Sequence, residues 1–174
     1  MYIVVGLGNP GDEYACTRHN TGRMAADFLS QKVSGVKVFT PETYMNKTGP
    51  AVAKVVKSKK AAEKLIVIYD DLDLPLGKMK ISYNRSSGGH RGVESIIKAL
   101  KTEAFIRIRV GISPATPSGK LKKPLGEKVV EKHILSEFKK SEADILKKVF
   151  KRVSDAVETI VNHDLTKAMT EFNS

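Results

Sequence analysis

Asn9, His19, Asn46, Asp70 and His90 are the residues of this chain whose types and spacing could carry chemistry. Asn9 lies in the glycine-rich turn Gly6-Leu7-Gly8-Asn9-Pro10-Gly11, and His19 follows within the same polar stretch. Asp70 ends the apolar run Leu65-Ile66-Val67-Ile68-Tyr69, and His90 follows Gly88-Gly89. A His Nδ1–H bonded to a carboxylate fixes the ring's tautomer and supports the imidazolium, which is the arrangement of a general base and its orienter. Asp70, nearest the strand, is the carboxylate expected to take that role. Asn46 stands in a loop just ahead of a helical pattern, where backbone N–H groups and a carboxamide can face one ligand. Each of these residue types also makes ordinary turns and caps, so the constellation matters more than any member.

Basic residues accompany them. Arg85, His90 and Arg91 lie in a loop leading to a helix amino end, which suits a phosphate or a carboxylate. Strand alternation puts Arg107 and Arg109 on one face, and an anionic ligand is one way to offset the cost of two adjacent like charges. Asp70, Asp71 and Asp73 could bind a metal, but no matching Asp, Glu or His cluster precedes them at ligand spacing, and no metal is expected. Cys16 lies near His19, yet nothing marks it as a thiolate. Gly6, Gly8 and Gly11 spell G-x-G-x-x-G, the dinucleotide fingerprint. Pro10 and a polar stretch interrupt the run into a helix, and no acid closes a second strand at the right distance, so no nucleotide cofactor is expected.

The elements that position these residues follow from periodicity. Met1-Tyr2-Ile3-Val4-Val5 reads as a buried strand whose carboxyl end delivers the glycine-rich turn, the place where ligands bind in open α/β sheets. Arg23 to Ser30 is helical, and Val36-Lys37-Val38-Phe39 is a short strand ended by Pro41. Thr48 is expected to cap a helix carrying Ala51, Val52, Val55 and Val56. Lys64 to Tyr69 is the strongest strand, and Lys78 to Tyr83 alternates as a half-exposed one. Val93, Ile96, Ile97 and Leu100 form a helix face, and Phe105 to Ile112 is another strand. Ser113 to Gly126 reads as a mobile, basic loop or lid. Ser141 is expected to cap a long amphipathic helix to Val161, followed by a short one from Asp164. The fold class is therefore α/β: a single domain over residues 1–174, with a mixed, mostly parallel sheet flanked by helices on both faces.

Composition sets the outer limits. With 174 residues and 41% hydrophobic content, the chain can bury a proper core. One cysteine excludes an internal disulfide framework and suits a reducing cytosol. No apolar run approaches a membrane span and no basic segment precedes the first strand, so a cytoplasmic location is expected. The chain is expected to be a monomer. Thirty Lys and Arg against nineteen Asp and Glu leave a net charge of +11, which raises the odds of a polyanionic partner.

Four motifs in order resemble bacterial-type peptidyl-tRNA hydrolase. They are Gly6-Leu7-Gly8-Asn9-Pro10-Gly11 with Tyr14 and Thr17-Arg18-His19-Asn20, Thr43-Tyr44-Met45-Asn46-Lys47-Thr48-Gly49, Asp70-Asp71-Leu72-Asp73-Leu74-Pro75-Leu76-Gly77, and Gly88-Gly89-His90-Arg91-Gly92. The resemblance continues through Arg107-Ile108-Arg109-Val110-Gly111-Ile112. It implies a cofactor-free enzyme that hydrolyses the ester between a peptide and the ribose of its tRNA. His19 would be the general base and Asp70 its orienter. Asn9 and Asn46 would hold the peptide and the attacked carbonyl, with Asn46 facing developing oxyanion charge. Tyr14 and Met45 would line the pocket, Gly88, His90 and Arg91 would border the substrate groove, and Arg109, with Arg107 and Arg85, would meet tRNA phosphate. Arg91 stands where the family usually has Asn. The segment between His19 and Thr43 is about twenty residues shorter than usual, enough to delete a hairpin and leave an edge strand short or missing. Arg91 and the shortened segment also motivate a second reading, an RNA-binding relative of the same fold that has lost catalysis.

Overall fold

Alternating β-branched residues set up a sheet with two buried faces. The computed structural model describes residues 1–174. In chain order the elements are β1 (Tyr2–Gly6), α1 (Thr21–Ser30), β2 (Val36–Phe39), α2 (Thr48–Ala53), α3 (Lys59–Ala62), β3 (Leu65–Pro75), β4 (Met79–Tyr83), α4 (Arg91–Leu100), β5 (Ile106–Ser113), α5 (Glu127–Ile134), α6 (Ala143–Asn162) and α7 (Leu165–Phe172). The strand order is β2-β1-β3-β5-β4, parallel except where β4 runs antiparallel to β5. Period-two alternation sends Val4, Ile66, Ile68, Ile106 and Ile108 to one core, packed under α1, α6 and α7. Val5, Leu65, Val67 and Tyr69 go to the other, with Val52, Val93 and Ile96 from α2 and α4.

The chain leaves β1 toward β2 on one side and leaves β3 toward β5 on the other. β1 and β3 therefore flank a topological switch point, where strand ends splay and a crevice opens. The glycines of the first turn serve this packing. A Cβ on Gly22 would overlap the Ile68 carbonyl, and one on Gly6 would overlap the Gly22 carbonyl, so α1 lies on β1 and β3 at backbone contact. That is a steric requirement within the protein, and the first turn continues into a single 3-10 turn at Asp12–Tyr14 with no phosphate-holding helix.

Several boundaries differ from expectation. β3 runs past Tyr69 to Pro75, because β5 keeps pairing with it through Asp70 and Asp71 and, after a register shift, at Pro75. Thr48 is the first residue of α2, not its cap: a 3-10 turn at Met45–Lys47 feeds the helix directly, and the Thr48 hydroxyl donates to the Met45 carbonyl. α2 ends at Ala53, leaving Val55 and Val56 in the following turn. Ser141 is not the cap of the long helix either. It sits inside a 3-10 turn, Lys140–Glu142, and the Glu142 carboxylate accepts the Lys139 N–H at 2.7 Å. Helices α3 and α5 add to the expected elements. β2 is an edge strand of only four residues, the short edge expected from the missing stretch. At the opposite edge, the Asn173 carboxamide bonds both the N–H and the C=O of Ile81 in β4.

Gly22→Ala is expected to destabilise the protein by about 2–3 kcal/mol through overpacking. Urea unfolding reads this directly, and an unchanged midpoint would show that α1 can lift off the strands at no cost.

Candidate active site

His19 lies in a 3-10 turn, Arg18–Asn20, between β1 and α1, and Asp70 sits in β3 beside it. The His19 Nδ1 is 2.8 Å from Asp70 Oδ2, with the pair buried at the base of a cavity of about 810 Å³. Asp70 Oδ1 is equally close, 2.8 Å, to Nε2 of His90, so one carboxylate bridges two imidazoles. His90 is also the cap of α4: its Nδ1 accepts the N–H groups of Gly92 and Val93 at 3.2 and 3.4 Å. A neutral imidazole has one lone pair and one N–H. Spending the Nδ1 lone pair on the helix leaves Nε2–H to donate to Asp70. With Oδ1 so occupied, Oδ2 receives Nδ1–H of His19, and the His19 Nε2 lone pair is left over.

Burial works against the charge on both members of this pair. For His19 it pushes the pKa down, but the Asp70 charge and hydrogen bond outweigh it and hold the pKa above the ordinary 6.5, with Arg91 opposing. For Asp70 burial pushes the carboxyl up, and the two imidazoles overcome it and keep it well below the usual carboxylate range. Tyr69 closes the back, its ring edge-on to His90 at 4.9 Å, with burial raising its hydroxyl pKa.

His19, Asp70 and His90 also present three ligand atoms within 4.8 Å of one another. Coordination of an ion through Nε2 of His90 would move that ring's proton to Nδ1, against the two N–H groups it now caps. The hydrogen bonds therefore favour a proton-transfer centre over a metal centre.

The carboxamides are oriented as tightly. Asn9 Oδ1 accepts the Met45 N–H at 2.8 Å, and the Asn9 backbone exchanges two 2.9 Å hydrogen bonds with the Asn20 side chain. The Asn9 amide nitrogen is thereby left free as a donor in the cavity wall. Asn46, exposed in the turn ahead of α2, lines the same cavity, as do Met45, Gly88, Arg85, Arg91 and Arg109.

Two expected residues fall elsewhere. Tyr14 does not line the cavity; its ring meets Tyr44 edge-on at 6.4 Å, and Tyr44 is the aromatic that does. Arg107 cannot reach a phosphate, since it is fully buried. Its guanidinium donates to the carbonyls of Ser86 and Glu103 and stacks 4.1 Å from the Phe105 ring. The expected adjacent charges are thus met from within the protein. Arg107 fixes the base of the loop carrying His90, while Arg109 pairs with Asp71 at 2.8 Å and bonds Ser82 at 3.1 Å.

The far wall was not foreseen. α5 buries no residue, yet Leu125, Val130, Ile134 and Leu135 in and around it line the cavity. It is tied down through His133 Nε2, bonded to the Ile112 carbonyl at 2.8 Å, and through Arg18, which bonds Ser136 and Glu142. Short mixed runs such as Glu127 to Ile134 carry too little periodicity to announce a helix.

A family model described as peptidyl-tRNA hydrolase matches residues 3–37 and 32–174. Among curated relatives, a peptidyl-tRNA hydrolase of Thermodesulfovibrio yellowstonii is 41% identical over 198 aligned positions, covering 99% of each chain. One of Thermotoga maritima is 42% identical over 189, covering 99% of this chain and 97% of its own. Both alignments are longer than this chain, and the family match is in two stretches that overlap at residues 32–37, from just after α1 into β2, as the shortened segment requires. The crystal structure of the Acinetobacter baumannii peptidyl-tRNA hydrolase superposes with a TM-score of 0.86 at 27% identity, covering 100% of this chain and 95% of that one. The endopeptidase HycI of Escherichia coli, at 12% identity and a TM-score of 0.52, shares the fold alone.

Two outcomes follow from the geometry. Arg107→Ala is expected to cost about 3 kcal/mol of stability by leaving buried carbonyls unpaired, measured by urea unfolding. A variant of unchanged stability with weakened RNA binding would restore a surface role to Arg107. The stability that Asp70 adds over Asp70→Asn is expected to peak between about pH 4 and 6.5. Below that window the folded carboxylate, whose pKa is depressed, still loses its advantage as the unfolded chain's carboxyl protonates. Above it, the share owed to charged His19 disappears as pH rises through its raised pKa. Unfolding both proteins at a series of pH values tests this, and a flat difference would refute it.

Proposed function

The chain belongs to the peptidyl-tRNA hydrolase family, and we infer that His19 is the general base with which it hydrolyses the ester between peptide and tRNA ribose. The observation that carries this reading is the buried 2.8 Å contact of His19 with Asp70, which leaves the His19 Nε2 lone pair free. Nε2 takes a proton from water as the water oxygen attacks the ester carbonyl carbon. Asp70 bears the resulting imidazolium, and the donor from His90 keeps the carboxylate in place. The Asn9 amide nitrogen, with Asn46, donates to the oxyanion of the tetrahedral intermediate. When that intermediate collapses, the carbon–oxygen bond to the ribose breaks and His19 returns its proton to the departing ribose oxygen. The peptide carboxylic acid so formed loses its proton to solvent, and the peptide carboxylate and a tRNA with its hydroxyl restored leave the site.

In the same reading Met45, Gly88, His90 and Arg91 border the substrate, and Arg85 and Arg109 meet tRNA phosphate. One guanidinium nitrogen of Arg109, Nη2, makes no hydrogen bond within the protein, which supports that role. Residues 1–174 act as one catalytic domain, a monomer in the cytoplasm. No helix is long and apolar enough to cross a membrane.

His19→Ala is expected to abolish release of free peptide from peptidyl-tRNA while binding of deacylated tRNA changes less than about threefold. An active His19→Ala enzyme would remove the general-base assignment. Asp70→Asn should lower kcat by roughly 10⁴. The pH profile of kcat/KM should climb through a pKa above 6.5, because only the neutral imidazole accepts a proton and Asp70 raises the pKa at which it becomes neutral. A profile with no limb in that region would show that the step does not depend on His19 ionisation. Chelator should leave turnover unchanged.

A further inference from the structure

His19 occupies the middle of a turn three residues long, and its two neighbours hold that turn from opposite ends. On the carboxyl side, the Asn20 carboxamide is fixed to the Asn9 backbone in the turn after β1. On the amino side, the Arg18 guanidinium reaches toward the start of α6. Its Nε donates to Ser136 Oγ and its Nη1 to Glu142 Oε1, each at 3.2 Å, and its central carbon lies 4.8 Å from the centre of the Phe138 ring. No other side-chain hydrogen bond joins the turn to residues 136–142. Two backbone bonds accompany these, from the Arg18 N–H to the Ser136 carbonyl and from the Phe138 N–H to the Cys16 carbonyl.

The far anchor is firm. Glu142 immediately precedes α6, whose Val149, Phe150, Val153 and Val157 lie in the core. α1 begins directly after the turn and packs on the same helix, with the Phe28 and Phe150 rings 6.1 Å apart. Turn, α1 and α6 thus form a closed triangle, and Arg18 is its third side. Glu142 is itself oriented, since the same Oε1 accepts the Lys139 N–H at 2.7 Å.

Stability alone does not call for this residue. Arg18 is only 7% exposed, so the pair gives up hydration, and well-packed apolar side chains often fill such a space with no loss of stability. What an apolar side chain lacks is direction. A planar guanidinium with two acceptors at set angles and a ring against its face fixes where the Arg18 backbone sits. The His19 Cα is the next along the chain, about 3.8 Å away. From there the ring must present Nδ1 to Asp70 Oδ2 at 2.8 Å while Nε2 stays free for water. A displacement of about 1 Å at a catalytic group can cost on the order of 10²-fold in rate.

We propose that Arg18 is a positioning residue for catalysis: its bonds to Ser136 and Glu142 hold the turn so that His19 keeps its alignment with Asp70. This rests on the reading of His19 as the general base. It adds what sets that base in place.

The test uses the full chain with Arg18→Met, which keeps the reach of the side chain and its packing on Phe138 but removes both bonds, and with Glu142→Ala, which removes one. Val157→Ala, in the core under α6, is the reference for lost stability alone. Release of peptide from peptidyl-tRNA gives kcat and KM for each, at a temperature where circular dichroism shows all of them folded. Arg18→Met should lower kcat by about 10- to 100-fold while KM changes less than about threefold, and Glu142→Ala should lower kcat by a smaller factor. Asp70, His90 and Arg91 are the charged or titratable groups beside the His19 ring, and Asp70 is the one that holds its pKa up. Loosening that contact should move the limb of the kcat/KM profile to lower pH in Arg18→Met and broaden the downfield NMR resonance of the His19 Nδ1 proton. Val157→Ala should change kcat less than about threefold and leave limb and resonance in place. A folded Arg18→Met enzyme with the wild-type kcat and limb would overturn the proposal, and so would a fall in kcat no larger than that of Val157→Ala. If Arg18→Met does not fold, the same readings on Glu142→Ala decide. An active His19→Ala enzyme would instead overturn the reading beneath the proposal, so the two failures are separable.

Discussion

A single buried carboxylate holds the working parts of this protein together. Asp70 satisfies both its oxygens with imidazoles that come from different parts of the chain, one before α1 and one at the start of α4. Removing a charge from water costs several kcal/mol, and only well-directed donors offset it. The fold must therefore bring His19 and His90 to β3 together, or leave a carboxylate stranded in the interior. That constraint links β1, β3 and α4 across the switch point of the sheet.

The second imidazole gives the arrangement its direction. Because His90 spends one nitrogen on the amino end of α4, its other nitrogen can only donate, and the protons of the whole trio are placed by that choice. Helix capping and catalytic tautomer are thus one hydrogen-bond network. Asn9 behaves similarly: its carbonyl is committed to the Met45 N–H, which turns its amide nitrogen toward the reacting groups. In both cases backbone N–H groups of neighbouring segments decide which end of a side chain is left for substrate.

Much of this was legible in the residues. Period-two runs gave the strands, and the polar residues at their carboxyl ends marked the crevice, because strand alternation and the position of turns are local properties. His19, Asp70, Asn9 and Asn46 do meet around one cavity. What could not be read depended on partners distant in sequence. Arg107 looked like a surface cation until the carbonyls of Ser86 and Glu103 enclosed it. The bridging role of His90 needed Asp70 twenty residues away and the helix start beside it. α5 is held by one bond from its own His133 and by the bonds of Arg18 to the segment that follows it, with no buried face of its own to leave a pattern. Tyr44 and Tyr14 exchanged places as the pocket aromatic, since which ring faces inward is set by packing between two loops.

The shortened segment ahead of β2 leaves four residues, Val36 to Phe39, as the outermost strand. Such an edge offers unpaired N–H and C=O groups to any chain that can lie along it. Lys37 stands exposed in the middle of this one. A second copy aligned there would gain no more than a few hydrogen bonds and would crowd lysine toward lysine. Brevity and one ammonium group together make the trimmed border a poor template for stacking.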